Sequence, residues 1–171
     1  MNQITPILFA KASSPKEMTQ LNLNEIEETI RSCGLFKTKA KAIKNISEML
    51  MQKYHGQVPK TIKQLEQLPG VGRKTAAVVM SQAFNKPAFP VDTHIKRCAV
   101  RWGLSKTNNL IKIEKNLKKI FPRLFWNKMH LQIIYYARQF CKARGHKIEK
   151  CPICLALTHL TQKQKMDVWI F

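Results

Sequence analysis

Acidic residues are scarce in this chain, where 10 Asp and Glu stand against 30 Lys and Arg and give a formal net charge of +20. The imbalance lies mostly in the second part of the chain, because 20 of the basic residues but only 4 of the acidic ones follow residue 66. Such a charge attracts polyanions, and each neutralised phosphate steepens the logarithmic salt dependence of binding by about 0.9. Charge alone indicates a nucleic-acid partner or an ordinary solvated basic surface.

Long hydrophobic runs are also missing. No segment approaches the roughly 18 consecutive apolar residues that a membrane helix needs. The apolar residues 4–10 follow no basic residue and include Pro6, so they make a poor signal peptide. We therefore expect a cytoplasmic protein with no membrane partner. The 5 cysteines are an odd number, and those at 141, 151 and 154 lie close together, which favours a reducing compartment and a metal site over disulfides.

Signals for β-strands are absent as well. Val78 and Val79 are the clustered β-branched residues, and they lie inside a run with helical spacing. Elsewhere apolar residues recur every three or four positions, as in 23–33, where Asn24 is the predicted N-cap. The sequence therefore predicts an all-α protein. The prolines at 87 and 90 divide it into a helical domain at 1–86 and a C-terminal helical domain at 87–171, whose tail from 162 has no interpretation.

The segment Leu68-Pro-Gly-Val-Gly-Arg-Lys-Thr-Ala76 joins two predicted helices and indicates a helix-hairpin-helix at about 61–84. Gly70 and Gly72 permit a tight turn, and the N–H groups at the start of the next helix suit a phosphate, helped by the helix dipole. Such contacts position a protein on DNA without reading sequence. The alternative is a turn that serves packing alone. The predicted DNA contacts in this segment are Gly70, Val71, Gly72, Arg73 and Thr75.

Lys74 and Asp92 are the candidate catalytic residues. The first turn of a helix disfavours the charge of Lys74, and Arg73 beside it acts in the same direction, so a neutral and nucleophilic amine is favoured. Asp92, in Pro90-Val-Asp-Thr-His94, precedes the next predicted helix, where its carboxylate could stabilise an oxocarbenium-like sugar. The alternatives are a phosphate-binding lysine and a carboxylate that only caps the helix from Thr93.

These motifs, with Gly34-Leu-Phe-Lys-Thr-Lys-Ala40 and residues 89–97, resemble the endonuclease III family of helix-hairpin-helix DNA glycosylases over about residues 1–154. The resemblance implies a two-lobed, all-α fold and a monomeric enzyme that acts on damaged double-stranded DNA. It would remove oxidised pyrimidines and cleave abasic sites by β-elimination. Family members begin with additional helices, so we expect the chain to lack the first helices of the six-helix domain. The main rival is a non-catalytic DNA-binding module. A monofunctional glycosylase is the other, although such relatives lack a lysine at position 74.

The resemblance also assigns residues to roles. Lys74 would form the Schiff base and Asp92 would assist it. Leu35 matches a residue that inserts beside the orphan base, although a core leucine is an equally good interpretation, and Glu66 matches a supporting acidic position. The remaining predicted DNA contacts are His94, Lys96, Arg97 and Arg101.

The family carries a [4Fe-4S] cluster on four cysteines near the C-terminus. Cys141, Cys151 and Cys154 match three of them, and Leu160, at the fourth place, cannot bind iron. His159 or His146 could complete the set, so a zinc site with three cysteines and one histidine is the alternative. No nucleotide cofactor is expected. Cys33 and Cys98 lie on helical apolar faces and are predicted core residues.

Overall fold

The computed structural model describes residues 3–161, 164, 165 and 168. Within them every regular element is a helix, as the sequence predicts, and no helix has the length and apolar character to span a membrane. The uninterpreted tail from 162 lies mostly outside the described residues. The α-helices are α1 (Thr5–Lys11), α2 (Pro15–Gln20), α3 (Leu23–Thr29), α4 (Phe36–Tyr54), α5 (Ile62–Leu65), α6 (Arg73–Gln82), α7 (Thr93–Arg101), α8 (Leu110–Ile120), α9 (Trp126–Gln139) and α10 (Pro152–Ala156), with short 3-10 helices at Arg123–Phe125 and Ile148–Lys150.

The chain forms two compact units, Met1–Gly72 and Arg73–Phe171. The division that the sequence suggests between residues 86 and 87 stays a prediction. The boundary between the two compact units lies earlier, at the start of α6, whose first residue forms an ion pair with Glu114 of α8 in the second unit. Each unit has its own apolar core.

The first unit is organised around α4, the 19-residue helix on which α2 and α3 pack. Ile26 and Ala40 are fully buried at this contact, and Cys33 lies in the same core, as predicted. The N-cap of α3 is Asn22 rather than the predicted Asn24. Asn22 has an extended backbone and forms a capping box with Glu25, whereas Leu23 already begins the helix and places Asn24 inside it.

The second unit has the larger core, in which α7 packs against α8 and α9. Trp102 is buried and meets the ring of Tyr136 edge-on, with the centroids 5.5 Å apart. Cys98 is fully buried in this core, as predicted. This packing fixes the direction of α7, and α7 begins immediately after Asp92.

Candidate functional site

The segment that leads to α6 is fixed by a cap and by two buried leucines. The Thr61 side-chain oxygen accepts the N–H of Gln64 at 3.3 Å and so caps α5. The Thr61 hydroxyl in turn donates to Gln64 Oε1 at 2.7 Å. Leu65 and Leu68 are buried, and Glu66 is the C-cap of α5.

The two glycines of the turn have different reasons to be glycine. Gly70 has a φ of +72°, and a Cβ there would lie 3.0 Å from the Cβ of Ala42, so both its backbone and its packing exclude a side chain. Gly72 has neither constraint: no described atom lies within 4 Å of the place its Cβ would take. Within the described residues, backbone conformation and packing therefore require a glycine at position 70 and not at position 72.

Lys74 is the second residue of α6 and is exposed. Thr75 beside it is also exposed, as a predicted DNA contact must be. Arg73, another predicted DNA contact, forms an ion pair within the protein. Its Nε donates to Glu114 Oε2 at 2.7 Å, and its Nη2 donates to Glu114 Oε1 at 3.3 Å. The Glu114 carboxylate partly offsets the positive charge next to Lys74. A phosphate contact by Arg73 stays a prediction.

Glu114 holds the start of α6 to α8. The residue is 5% exposed and pairs with Arg73 and Lys118. Burial acts to raise the pKa of Glu114, but the hydrogen bonds and charges of Arg73 and Lys118 outweigh it and hold the pKa below its usual value. The carboxylate is therefore ionised near neutral pH and fixes the first turn of the helix that carries Lys74.

Asp92 is the N-cap of α7, as one interpretation of the sequence predicted. Its Oδ1 accepts the N–H of Ile95 at 2.8 Å. The cap uses one oxygen, and the residue is partly exposed. Capping therefore leaves the second carboxylate oxygen available for another role.

His130 of α9 lies within electrostatic reach of both candidate catalytic residues. The pKa of His130 is lowered, and burial is the main cause. The negative charge of Asp92 acts to raise this pKa, and the positive charge of Lys74 acts to lower it. The side chain is 3% exposed, and neither ring nitrogen has a hydrogen-bond partner among the residues that the structure describes. Buried polar atoms without partners are rare in proteins, so this imidazole requires an explanation.

Sequence reasoning missed both His130 and Glu114. A signal was present in each case, because both residues stand on the apolar face of an amphipathic helix. Glu114 follows Ile113 and is four residues after Leu110. His130 is three residues before Ile133 on the face of α9 that is buried. A polar side chain at such a position indicates a buried partner or a function.

Three of the predicted DNA contacts on α7 form hydrogen bonds within the protein. Arg97 Nε donates to the carbonyl of Cys141 at 2.9 Å, and another Arg97 nitrogen lies 3.1 Å from His94 Nδ1. Arg101 donates to the carbonyl of Lys142 at 2.7 Å. Both arginines thus bind the loop that follows α9. Their predicted phosphate contacts, and those of Lys96 and Val71, stay predictions.

Leu35 lies immediately before α4 with its side chain 79% exposed. Its φ of 59° and ψ of 35° are left-handed, a conformation that costs a residue with a Cβ about 1–2 kcal/mol. The structure therefore does not place Leu35 in the core. A strained, exposed leucine suits a side chain that acts on a partner.

The cysteine cluster contains four candidate ligands. The Sγ atoms of Cys141, Cys151 and Cys154 and one ring nitrogen of His146 all lie within 4.8 Å of one another. His146, rather than His159, is the histidine in this group. Cys98 is a close neighbour outside it: burial raises the pKa of its thiol, and the nearby Cys141 contributes.

Comparison with known proteins gives a consistent result. The model of the HhH-GPD superfamily base excision DNA repair protein matches residues 1–123. Endonuclease III of Bacillus subtilis strain 168 is 38% identical over 165 residues, which cover 96% of this chain and 75% of that protein. Endonuclease III of Buchnera aphidicola subsp. Schizaphis graminum is 39% identical over 151 residues, which cover 88% of this chain and 72% of that protein.

Solved structures support the same relationship. A non-covalent endonuclease III–DNA complex has a TM-score of 0.86 and 40% identity, covering 97% of this chain and 77% of that chain. A trapped covalent endonuclease III–DNA intermediate, in its estranged-adenine complex, has a TM-score of 0.85 and 41% identity, covering 89% of this chain and 72% of that chain.

Proposed function

The chain belongs to the HhH-GPD superfamily of base excision DNA repair proteins and, within it, to the endonuclease III family, and we propose that it removes oxidised pyrimidines from damaged double-stranded DNA and cleaves the abasic sites left behind. Its activity is that of a DNA glycosylase and abasic-site lyase. The non-catalytic alternative is not favoured, because the similarity to endonuclease III covers 96% of this chain.

The proposal depends most on one observation. His130 lies within electrostatic reach of Lys74 and of Asp92, so an amine and a carboxylate from two helix starts act on the same buried imidazole. Both residues belong to the second unit. A nucleophile and a carboxylate in one locality are the groups that breaking a glycosidic bond and forming a Schiff base require.

The chemistry assigns one role to each group. Lys74 Nζ, as a neutral amine, attacks C1′ of the deoxyribose, and the bond from C1′ to the base breaks, so the base leaves with the electron pair and takes up a proton. Nζ then loses a proton, the C1′–O4′ bond breaks and O4′ takes up a proton, which opens the sugar ring to a Schiff base between Nζ and C1′. Loss of a proton from C2′ expels the 3′ phosphate and nicks the strand. Asp92 stabilises the positive charge that develops on the sugar, and such preorganised groups contribute about 100-fold to 1,000-fold in rate.

The direct test uses two duplexes, one with a single oxidised pyrimidine and one with a single abasic site. We expect base release from the first and a nick in both, with an unsaturated aldehyde at the 3′ end of the fragment that lies 5′ to the break and a 5′ phosphate on the other fragment. Base release with an intact strand would contradict the lyase assignment. No reaction on either duplex, with binding to both, would support the non-catalytic module.

The turn before α6 supplies the phosphate contact. Gly72 is free of positive φ and of steric contact within the described residues, so the protein itself does not require a glycine there. A close approach by the DNA backbone is a sufficient reason, because a Cβ would separate a phosphate from the N–H groups at the start of α6. Leu35, exposed and left-handed, fills the gap that a flipped nucleotide leaves.

The variants Gly72→Ala and Gly70→Ala are expected to affect different properties, DNA binding in the first case and stability in the second. Gly72→Ala leaves the free energy of unfolding within about 1 kcal/mol of the wild type. The same change weakens duplex binding about fivefold, equivalent to about 1 kcal/mol. Gly70→Ala lowers stability by about 1–2 kcal/mol, because alanine must adopt the left-handed backbone. Thermal melting and fluorescence anisotropy measure the two quantities. Unchanged DNA binding by Gly72→Ala would contradict the phosphate contact.

His130 acts as a positioning residue. A neutral imidazole offers one donor and one acceptor, and its lowered pKa keeps it neutral near physiological pH. The charges of Lys74 and Asp92 both act on this imidazole, so we infer that it helps to align the two side chains when a flipped nucleotide is bound. An unsatisfied buried polar group costs about 1–3 kcal/mol, and a site can retain such a cost when its activity depends on the group.

Replacing His130 by Leu is expected to raise stability and lower activity. The free energy of unfolding rises by about 1–3 kcal/mol, because the unsatisfied ring is removed. Base excision slows by about 10-fold to 100-fold, because the catalytic side chains lose their alignment. In the wild type, stability falls as pH drops below 6.5, the usual His value, since the unfolded state then binds the proton more readily; the variant lacks the contribution of His130 to this dependence. Urea titrations at several pH values and single-turnover rates test both, and a variant with full activity would contradict the role.

The cysteine group is compatible with a metal centre. The family resemblance implies a [4Fe-4S] cluster, which in proteins is usually held by four cysteine thiolates. This group offers three thiolates and the His146 imidazole, so the usual ligand set is incomplete. No step of the proposed reaction passes through this centre. The five cysteines form no disulfide among the residues that the structure describes. The cytoplasmic location and the monomeric state stay predictions.

A further inference from the structure

The ligand atoms of the cysteine group are too close together for a cluster of irons. All four lie within 4.8 Å of one another, and Cys141 Sγ and Cys154 Sγ are 3.9 Å apart. A tetrahedral zinc ion with Zn–S bonds of about 2.3 Å places its sulfurs about 3.8 Å from each other. A [4Fe-4S] cluster interposes irons and bridging sulfides between its thiolates and separates them further. The spacing corresponds to a single ion.

His146 offers the fourth candidate ligand atom of the group. Its Nε2 is buried and has no hydrogen-bond partner among the described residues. The group brings together three chain segments: Cys141 follows α9, His146 lies in the loop after it, and Cys151 and Cys154 lie at the start of α10 and within it. An imidazole nitrogen with three thiolates is a common zinc ligand set.

Hydrogen bonds to the sulfurs complete the site. Arg101 donates to Cys141 Sγ at 3.5 Å, and the Tyr136 hydroxyl lies 3.7 Å from Cys151 Sγ. The Tyr136 hydroxyl also accepts the N–H of Ile153 at 2.9 Å, so its own proton remains available to the Cys151 sulfur. Three thiolates and a neutral imidazole around Zn²⁺ carry a net charge of −1, which the Arg101 guanidinium offsets. Such outer contacts orient ligands and tune metal affinity.

We propose that Cys141, His146, Cys151 and Cys154 bind one zinc ion in place of an iron–sulfur cluster. Four protein ligands close the coordination sphere, so the site is structural and leaves no position for a substrate or water. The ion ties the end of α9 to α10. This inference goes beyond the proposed function and does not depend on it, because its test measures metal content and spectra rather than base excision.

The test uses the full chain without a tag, expressed with both iron and zinc supplied and purified without oxygen. We expect one zinc per chain by mass spectrometry, no iron, and no broad visible absorption. Exchange with Co²⁺ is expected to give the visible bands of a tetrahedral cobalt–thiolate site. Iron with acid-labile sulfide, or a folded chain without metal, would overturn the proposal.

Matched histidine variants identify the fourth ligand. His146→Ala is expected to lose zinc to a chelator at least about 10-fold faster than the wild type. The control His159→Ala removes the other candidate and retains zinc, and Cys98→Ala retains it as well. His146→Cys restores retention, because it supplies a fourth thiolate. Equal zinc loss from His146→Ala and His159→Ala would overturn the assignment of His146. If the variant unfolds, the cobalt spectrum of His146→Cys still tests the position, since a shift toward four-thiolate bands is expected.

Discussion

Lys74→Gln is expected to abolish the covalent adduct that borohydride traps between this chain and an abasic duplex. Reduction converts the Schiff base into a stable amine, so a trapped adduct shows that a covalent bond formed between Lys74 Nζ and C1′. DNA binding without this bond gives no adduct. We expect a loss of at least about 1,000-fold in adduct formation, since glutamine cannot form an imine. Because Lys74 is exposed, the substitution should leave the melting temperature nearly unchanged.

A second lysine provides the control for charge. Lys96→Gln removes one positive charge from α7, so it should weaken DNA binding and lower the salt slope by about 0.9, while the adduct still forms. If Lys74→Gln retains the wild-type adduct, another amine is the nucleophile. If the wild type binds an abasic duplex but gives no adduct, the chain is a DNA-binding module.

Asp92→Asn and Asp92→Ala separate the two roles of this residue. Asparagine caps helices as well as aspartate does, so Asp92→Asn keeps the bond to the Ile95 N–H and the stability of α7. Its rate of base release should nevertheless fall by about 100-fold to 1,000-fold, because the carboxylate charge is lost. Asp92→Ala should have the same rate defect and also lose about 1 kcal/mol of stability.

The readouts are single-turnover base release and denaturant unfolding of both variants. An Asp92→Asn protein with wild-type rates would show that this residue only caps the helix. Equal stability of Asp92→Ala and the wild type would instead show that the Asp92 cap does not stabilise the protein. The pair of variants therefore tests each interpretation independently of the other.

Local features of this fold could be predicted from the sequence. The start of α6 at Arg73 follows from the paired glycines, and the start of α7 follows from Asp92, which is a favourable N-cap. Both depend on neighbours within a few residues. The error at Asn24 has the same local origin, because two asparagines stand two positions apart and only Asn22 can reach the N–H of Glu25 from an extended backbone.

The long-range contacts could not be predicted. The Arg73–Glu114 pair joins residues 41 positions apart, and the bond from Arg97 to the Cys141 carbonyl spans 44. Sequence patterns give the face of a helix and not its partner. From the sequence alone, the arginines of α7 are equally good candidates for binding phosphates and for binding the protein. The structure shows that they bind the loop after α9. His130 was missed for the same reason, since its proximity to Lys74 and Asp92 exists only in the folded unit.

Position 35 is a natural target for mutations that raise thermal stability, because Leu35 has a left-handed backbone. Glycine at this position would remove a backbone cost of about 1–2 kcal/mol, although the greater freedom of glycine in the unfolded chain would cost about 0.5–1 kcal/mol. The substitution would also remove an exposed apolar side chain. Thermal stability would rise, while the side chain that we propose fills the gap left by a flipped nucleotide would be gone. Selection of Leu35 variants by heat resistance alone would therefore enrich proteins that survive longer and repair less.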